Sequence, residues 1–351
     1  SPSPVESFQV YSEEMAGLLE RLKRNSESPS RRRTVPWVST ISSGYDSPAV
    51  TALAMQAGLE ECLSVPNSNS LLPAWVDSSA GADGGELIAE ALGCPIRIME
   101  SRTPTRWEDE VPYLSPSAAD PELALYPVME HLRGKGTVKA LLTGYHGDKT
   151  WDRIVPSDYL GPDLRRGDIS GLNLSEARLE AGVIHVALPF FLARSIRDLQ
   201  RIAASPEMAP WALGNEYDRP IPRRILEEAG VGRELFGMRK RAVVQRYPFP
   251  KVPEGRARFF AHLEERYGQS VPLPRLLSVL DKLAFIVLRS GQFGLRPMGI
   301  RTKDPKAQPL LDGVLDLPSR LHVWALQEHV GLQRAALDRD PVVPRHRAGA
   351  T

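Results

Sequence analysis

A short polar loop between a predicted strand and a predicted helix constrains the fold of this chain more than any other feature. Residues 35–41 have the pattern of an apolar strand, and residues 42–47 follow with the sequence Ser-Ser-Gly-Tyr-Asp-Ser. A helix is predicted over residues 48–57, and Gly58 ends it. Small residues let backbone N–H groups crowd around an anion, and the helix points its positive end at the same place. The segment is therefore typical of an anion-binding turn in an α/β protein.

The segments around this loop alternate between strand and helix. We predict a helix over residues 5–24 before it, and after it strands over 63–65, 95–99 and 138–142, with a helix over 85–92. This alternation indicates a parallel sheet with helices on both faces, whose ligands bind outside the carboxyl ends of the strands. From residue 175 onward the pattern is mainly helical, with predicted helices over 192–204, 223–229, 257–267, 273–289 and 318–339.

The same patterns divide the chain into four parts. Residues 1–34 form an N-terminal helix and a polar approach to the first strand, and residues 35–250 form the α/β core. Residues 251–337 form a helical C-terminal region, and residues 338–351 are predicted to be a disordered tail because they are charged and contain proline. Residues 31–33, all arginine, could contact phosphates, although a solvated loop is the ordinary explanation of such a run.

Composition excludes several classes of protein. The formal net charge of the 351 residues is +1, so no basic field argues for nucleic acid. No apolar run is long enough to span a membrane, and the polar N-terminus is unlike a signal peptide. The two cysteines, Cys62 and Cys94, do not have the spacing of a metal site. We therefore expect a cytoplasmic protein, and because the chain does not begin with Met we expect a processed or cropped form.

The order of residues 42–47 resembles the PP-loop of ATP pyrophosphatases, usually SGGxDS, with Ser43 where glycine is usual. The resemblance implies an adenine nucleotide α-hydrolase-like fold and cleavage of ATP between its α and β phosphates. It further implies that Ser42, Ser43, Gly44, Tyr45, Asp46 and Ser47 bind the nucleotide, together with Leu63, Ser64, Val65, Gly144 and Tyr145.

A second segment makes the resemblance more specific. Residues 142–148, Leu-Thr-Gly-Tyr-His-Gly-Asp, resemble the SGEGxDE segment of asparagine synthetases and a variant in β-lactam synthetases that begins Thr-Gly-Tyr. Departing pyrophosphate requires Mg²⁺ to neutralise it, and Mg²⁺ prefers carboxylate ligands. Asp46 and Asp148, on two strand-end loops, are the candidate ligands. Because a loop carboxylate contributes little to a core, Asp46→Asn is expected to abolish turnover with little loss of stability.

Two further segments are similar to the same family, and the first of them departs from it. The family's amine-assisting glutamate aligns with Ile184 or His185, so His185 either replaces it as a base or is a packed, hydrogen-bonded residue. The arginine of that motif is missing. The basic run around Lys240 matches a segment in which a lysine is essential, and the resemblance implies that Lys240 stabilises charge on the α-phosphate and the tetrahedral oxyanion.

The resemblance, which covers roughly residues 10–250, implies an ATP-dependent synthetase, and the departures from the family favour a role in specialised metabolism. It would adenylate a small-molecule carboxylate and transfer the acyl group to an amine or to ammonia. The family's glutaminase domain is not in this sequence, so ammonia would arrive free, from an upstream domain, or from a separate glutaminase or amine-supplying protein. Tyr145, His146, Trp151 and Asp152 are candidates to line the acceptor pocket, although they could equally be core aromatic and surface polar residues.

Two other functions stay open at this point. A PP-loop enzyme that transfers sulfur or modifies nucleobases would need a reactive cysteine, and neither Cys62 nor Cys94 is in an evident reactive setting. A non-catalytic nucleotide-binding relative would explain the departures from the family at Ser43, Ile184 and Lys149.

Overall fold

A computed structural model describes most of the chain. It covers residues 4–66, 84–114, 123–133, 136–153, 175–214, 217–237, 249–270 and 317–339, with residues 276, 279, 280 and 283. Several predictions therefore lie outside the described residues: the role of Lys240, most of the helix over 273–289, and the tail beyond residue 339.

Within the described residues, five parallel strands form one sheet, in the order β3-β2-β1-β4-β5. This confirms the predicted α/β fold with a parallel sheet. The fifth strand lies at the sheet edge, in the part of the chain for which the sequence predicts mainly helices. Its five residues, Val-Ile-His-Val-Ala, lie between two segments of helical pattern, from which the local pattern does not separate them. The strands are β1 (Trp37–Thr40), β2 (Glu61–Ser64), β3 (Ile96–Ile98), β4 (Lys139–Thr143) and β5 (Val183–Ala187).

Helices connect and follow the strands, mostly within a few residues of their predicted positions. Short 3₁₀ segments cover Leu123–Leu125, Leu188–Ser195, Pro206–Trp211 and Arg233–Leu235. The last helix continues to Arg339, so the first two residues of the predicted tail are helical. The α-helices are α1 (Phe8–Ser26), α2 (Asp46–Gln56), α3 (Glu86–Ala91), α4 (Trp107–Leu114), α5 (Tyr126–Leu132), α6 (Gly147–Thr150), α7 (Ser175–Ala181), α8 (Ile196–Ala203), α9 (Pro220–Glu228), α10 (Pro253–Tyr267) and α11 (Leu317–Arg339).

Both faces of the sheet are covered. Successive strand side chains point to opposite faces, and both Trp37 and its neighbour Val38 are fully buried. On the Trp37 face, the indole Nε1 donates to Ser26 Oγ in α1 at 2.9 Å, and Ser39 Oγ lies 2.8 Å from Thr51 Oγ1 in α2. Helix α2 packs against β1, β4 and α9. This packing fixes the start of α2, which is where the candidate site lies.

The chain forms two compact units. The first consists of Ser1–Thr103 and Ala124–Val244 and contains the whole sheet, and the second consists of Pro104–Leu123 and Gln245–Thr351. In the second unit α4, α10 and α11 pack on one another, with the rings of Phe259 and Trp324 5.2 Å apart. Among the helices that the structure describes, none combines the length and apolar character needed to span a membrane.

Candidate nucleotide site at the sheet edge

Two loops meet at the carboxyl ends of the adjacent strands β1 and β4. Residues 42–47 follow β1, and residues 144–148 follow β4. A Cβ on Gly144 would lie 2.5 Å from the backbone N of Ser47, and a Cβ on Gly147 would lie 2.4 Å from Asp46 Cγ. A Cβ would collide with backbone of the first loop at Gly144 and with the Asp46 side chain at Gly147, so both glycines are required for the contact between the loops.

The first loop is held in shape by hydrogen bonds within it and by one from Gly237. Ser42 Oγ lies 2.9 Å from Ser47 Oγ and accepts a hydrogen bond from the backbone N–H of Gly44 at 3.3 Å. The carbonyl oxygen of Ser43 accepts one from Gly237 N–H at 3.0 Å. These bonds close the loop at the N-terminus of α2, the geometry in which backbone amides can bind an anion.

Tyr45 differs from the other residues of this loop because its side chain points into the core. It is fully buried, and its ring lies 4.8 Å from that of Tyr217 and 5.9 Å from that of Phe236. Burial raises the pKa of the Tyr45 hydroxyl, although a hydrogen bond donated by Arg223 opposes this. Any nucleotide contact by Tyr45 would therefore have to come from its backbone.

Asp46 is paired with a buried arginine. Its Oδ2 accepts a hydrogen bond from Nη1 of Arg219, whose side chain is only 4% exposed. Nε of Arg219 also lies 3.8 Å from Oδ2 of Asp152. Burial raises the pKa of Asp46, Arg219 lowers it, and the charges of Asp148 and Asp152 raise it further. Three carboxylates and one guanidinium thus form a single charge cluster where the two loops meet.

The two predicted metal ligands have the chemistry that Mg²⁺ needs. Asp46 Oδ1 is buried and has no hydrogen-bond partner, and Asp148 is 39% exposed beside Lys149, whose Nζ lies 3.5 Å from Asp148 Oδ2. No group of three or more His, Cys, Asp or Glu residues suited to a metal ion occurs within the described part of the chain. Magnesium in nucleotide sites is usually held by one or two carboxylates plus phosphate oxygens. Asp46 and Asp148 therefore fit an ion that arrives with a nucleotide.

The structure separates Ile184 and His185, the two positions that the resemblance offers for an amine-assisting residue. His185 lies in β5 with its Nε2 2.7 Å from Thr143 Oγ1, and its ring packs edge-on against Tyr145 at 5.2 Å. Ile184 instead lines a cavity of about 410 Å³ together with residues 31–35, which precede β1. Of the two, only His185 lies beside the second loop. It is hydrogen-bonded there, a contact that is compatible with both roles considered from the sequence.

Other predicted site residues lie in the same region but differ in exposure. Leu63 and Ser64 are buried at the carboxyl end of β2, where Ser64 Oγ donates to the carbonyl oxygen of Gly84 at 2.6 Å, whereas Val65 is half-buried. Trp151 is not a pocket residue: it is fully buried, and its Nε1 donates to the hydroxyl of Tyr11 at 2.8 Å.

The arginines at residues 31–33 precede β1, whereas the loop over residues 42–47 follows it. The length of the strand separates them, so they do not face the same end of the sheet. Contact between these arginines and a phosphate held by that loop is therefore excluded.

No family model and no curated protein matches this chain. What the loops at the carboxyl ends of β1 and β4 can bind is therefore inferred from their own residues.

Arg219 is the site residue that the sequence does not reveal. It lies 173 positions from Asp46 along the chain, in a segment whose only evident role is to begin a helix. Asp218 fixes its position, because the Asp218 carboxylate accepts hydrogen bonds from the backbone N–H groups of Leu213 at 3.0 Å and Gly214 at 2.9 Å. No sequence pattern indicates that this turn would carry a cation to the start of α2.

Proposed function

We propose that this chain is an ATP-dependent, AMP-forming carbon–nitrogen ligase that adenylates a carboxylate and transfers the acyl group to an amine. The observation that carries the proposal is the close contact between the two strand-end loops. Gly147 brings the second loop against Asp46, and Asp148 follows it directly. A polar turn at the N-terminus of α2 and two carboxylates thus lie at one place, which supports cleavage of ATP between the α and β phosphates.

Each part of this site has a distinct task. The backbone amides around Gly44 and the N-terminus of α2 would hold phosphate oxygens. Asp46 and Asp148 would hold Mg²⁺, which neutralises the pyrophosphate as it leaves. The acyl adenylate is a mixed anhydride that an amine can attack, and holding both partners at one sheet edge favours that step through proximity. His185, beside the second loop, is the candidate base for the amine, and Lys240 remains the candidate for stabilising the oxyanion.

One observation favours a second function, that of a nucleotide-binding protein without catalysis. Both candidate metal ligands have a cationic neighbour in the structure: Arg219 pairs with Asp46, and Lys149 lies 3.5 Å from Asp148. A site whose carboxylates are already neutralised could bind ATP without a metal ion.

The sulfur-transfer alternative has less support. Cys62 and Cys94 are both buried, and they lie within hydrogen-bonding reach of each other rather than at the nucleotide loop. Their mutual contact raises the pKa of Cys62 and lowers the pKa of Cys94, so burial of both thiols is the observation that disfavours sulfur transfer.

The deciding experiment identifies the nucleotide product formed from Mg-ATP with a pool of carboxylates and amines. AMP with pyrophosphate supports the ligase, and ADP with phosphate overturns it. If no product forms, ATP binding is measured with and without Mg²⁺. Metal-independent binding then favours the non-catalytic function, whereas no binding removes both. Tight binding that depends on Mg²⁺ would mean that the pool lacks the substrate.

A further inference from the structure

We propose that Arg219 is an internal counter-ion that occupies the place of the metal ion's charge among Asp46, Asp148 and Asp152, and that a divalent cation must displace it. The inference rests on the proposed function, because that proposal identifies Asp46 as a metal ligand. It adds a positioning residue and an order of events: the metal enters together with the nucleotide rather than alone.

The arrangement of the cluster carries the inference. The guanidinium donates to Asp46 through Nη1, and its Nε, which is buried and has no hydrogen-bond partner, lies 3.8 Å from Asp152. Asp46 Oδ1 is likewise buried without a partner. A fixed structural ion pair would normally satisfy its buried polar atoms. Here Asp46 Oδ1 and Arg219 Nε each lack a hydrogen-bond partner, as expected of an ion pair in which each group can exchange its partner.

Charge explains why the two cations compete. The guanidinium stays protonated at any ordinary pH, so it cannot yield its place by losing a proton. A divalent ion at Asp46 would lie within a few ångströms of this positive charge. An opposite charge that close changes the affinity of a carboxylate for a proton by about tenfold to a thousandfold. The same charge should weaken the binding of a metal ion to the carboxylate by a comparable factor.

The nucleotide supplies the means of displacement. Residues 42–47 place phosphate oxygens beside Asp46, and Arg219 can pair with these oxygens once it leaves the carboxylate. The ring of Tyr217, 5.1 Å from the guanidinium, offers a surface along which it can move. Mg²⁺ alone should therefore bind weakly, and Mg²⁺ with ATP should bind well.

The test is titration with Mn²⁺ in the absence of nucleotide, with free Mn²⁺ measured by electron paramagnetic resonance. Arg219→Met should bind Mn²⁺ at least about tenfold more tightly than the wild type. Arg219→Lys, which keeps the charge, should stay close to the wild type. Arg224→Met is the matched control, because Arg224 forms its ion pairs with Glu207 and Glu228, away from the cluster, and it should change nothing.

The location of the effect is tested by the double variant Arg219→Met with Asp46→Asn, which should lose the gain in affinity. Unchanged or weaker Mn²⁺ binding by Arg219→Met overturns the inference, and so does a gain that survives Asp46→Asn. If Arg219→Met does not fold without metal, Mn²⁺ should restore its folding, and failure to do so also overturns the inference.

The product assay keeps the two proposals apart. Tighter Mn²⁺ binding by Arg219→Met, with ADP and phosphate as the wild-type products, would leave the counter-ion in place and remove the ligase. AMP formation with unchanged Mn²⁺ affinity would do the reverse.

Discussion

Replacing Gly147 with alanine should damage catalysis far more than folding. The added Cβ would lie 2.4 Å from Asp46 Cγ and 2.6 Å from Asp46 Oδ1. Carbon atoms pack at about 3.5 Å or more, so the loop or the carboxylate must move by about 1 Å. Overpacking of this kind costs about 1–3 kcal/mol of stability. A displacement of about 1 Å in a catalytic group can cost about 100-fold in rate.

The loss of activity through unfolding can be calculated and compared with the loss of rate at the site. A domain with about 5 kcal/mol of stability that loses about 3 keeps about 2 kcal/mol, at which about 97% of the molecules stay folded. Unfolding therefore removes only a few per cent of the activity, and any larger loss must arise at the site. The assay is release of pyrophosphate from Mg-ATP, with urea unfolding measured on the same samples.

Gly17→Ala is the control for Gly147→Ala. Gly17 lies inside α1, where a Cβ would meet only Arg21 Nη1 at an ordinary 3.5 Å. That substitution should stabilise the chain by up to about 1 kcal/mol and leave turnover unchanged. If folded Gly147→Ala released pyrophosphate at the wild-type rate, the contact between the two loops would have no part in catalysis.

Three further substitutions test single interactions. Asp46→Asn should abolish pyrophosphate release, and wild-type turnover would remove Asp46 as a metal ligand. It should also lower the free energy of unfolding in urea by about 3 kcal/mol, because Arg219 stays buried and its partner loses its charge. The carboxylate of Glu110 accepts hydrogen bonds from the backbone N–H groups of Lys251 at 2.7 Å and Val252 at 3.0 Å. Burial raises the pKa of Glu110. The carboxyl group of Glu110 therefore stabilises the folded state fully when the pH is below the ordinary glutamate pKa. This stabilisation is lost as the pH rises through the raised pKa of the folded state. The stability difference between wild type and Glu110→Gln, measured by urea unfolding from about pH 4 to about pH 7, should shrink as pH rises, and a constant difference would contradict this. Trp151→Phe should lower the free energy of unfolding in urea by about 1–2 kcal/mol, because the buried hydroxyl of Tyr11 loses its hydrogen-bond donor. An equal loss in a Tyr11→Phe background would show that the hydrogen bond contributes nothing.

The sequence predicted the elements of this fold better than it predicted their contacts. The first four strands have apolar patterns bounded by turn residues, and each strand lies within two residues of its predicted start. Local pattern is enough for β1, β2 and β4, because these strands are buried along most of their length and burial on both faces selects apolar residues. Both edge strands are partly exposed, β3 at Ile98 and β5 at Ile184, but only β5 lies between segments of helical pattern, and the sequence therefore does not predict it.

Contacts between distant segments explain what the sequence could not predict. The loops were expected to meet, because strand-end loops of a parallel sheet share one edge. Arg219 was not expected there, since nothing in its neighbourhood shows that α9 packs on α2. For the same reason the sequence predicted little loss of stability for Asp46→Asn. That expectation treats Asp46 as a solvated loop residue, whereas the structure makes it the partner of a buried charge.

This pairing links the stability of the first unit to the state of its candidate site. Without a ligand, the Asp46 carboxylate stabilises Arg219, and Arg219 in turn offsets the repulsion among Asp46, Asp148 and Asp152. If a metal ion takes over Asp46, the guanidinium must gain a new anion or the exchange will be unfavourable. A nucleotide supplies both the metal ion and that anion. The combination of Mg²⁺ and ATP should therefore raise the melting temperature by more than the sum of the two added separately, and additive shifts would show that Arg219 and the metal ion do not compete.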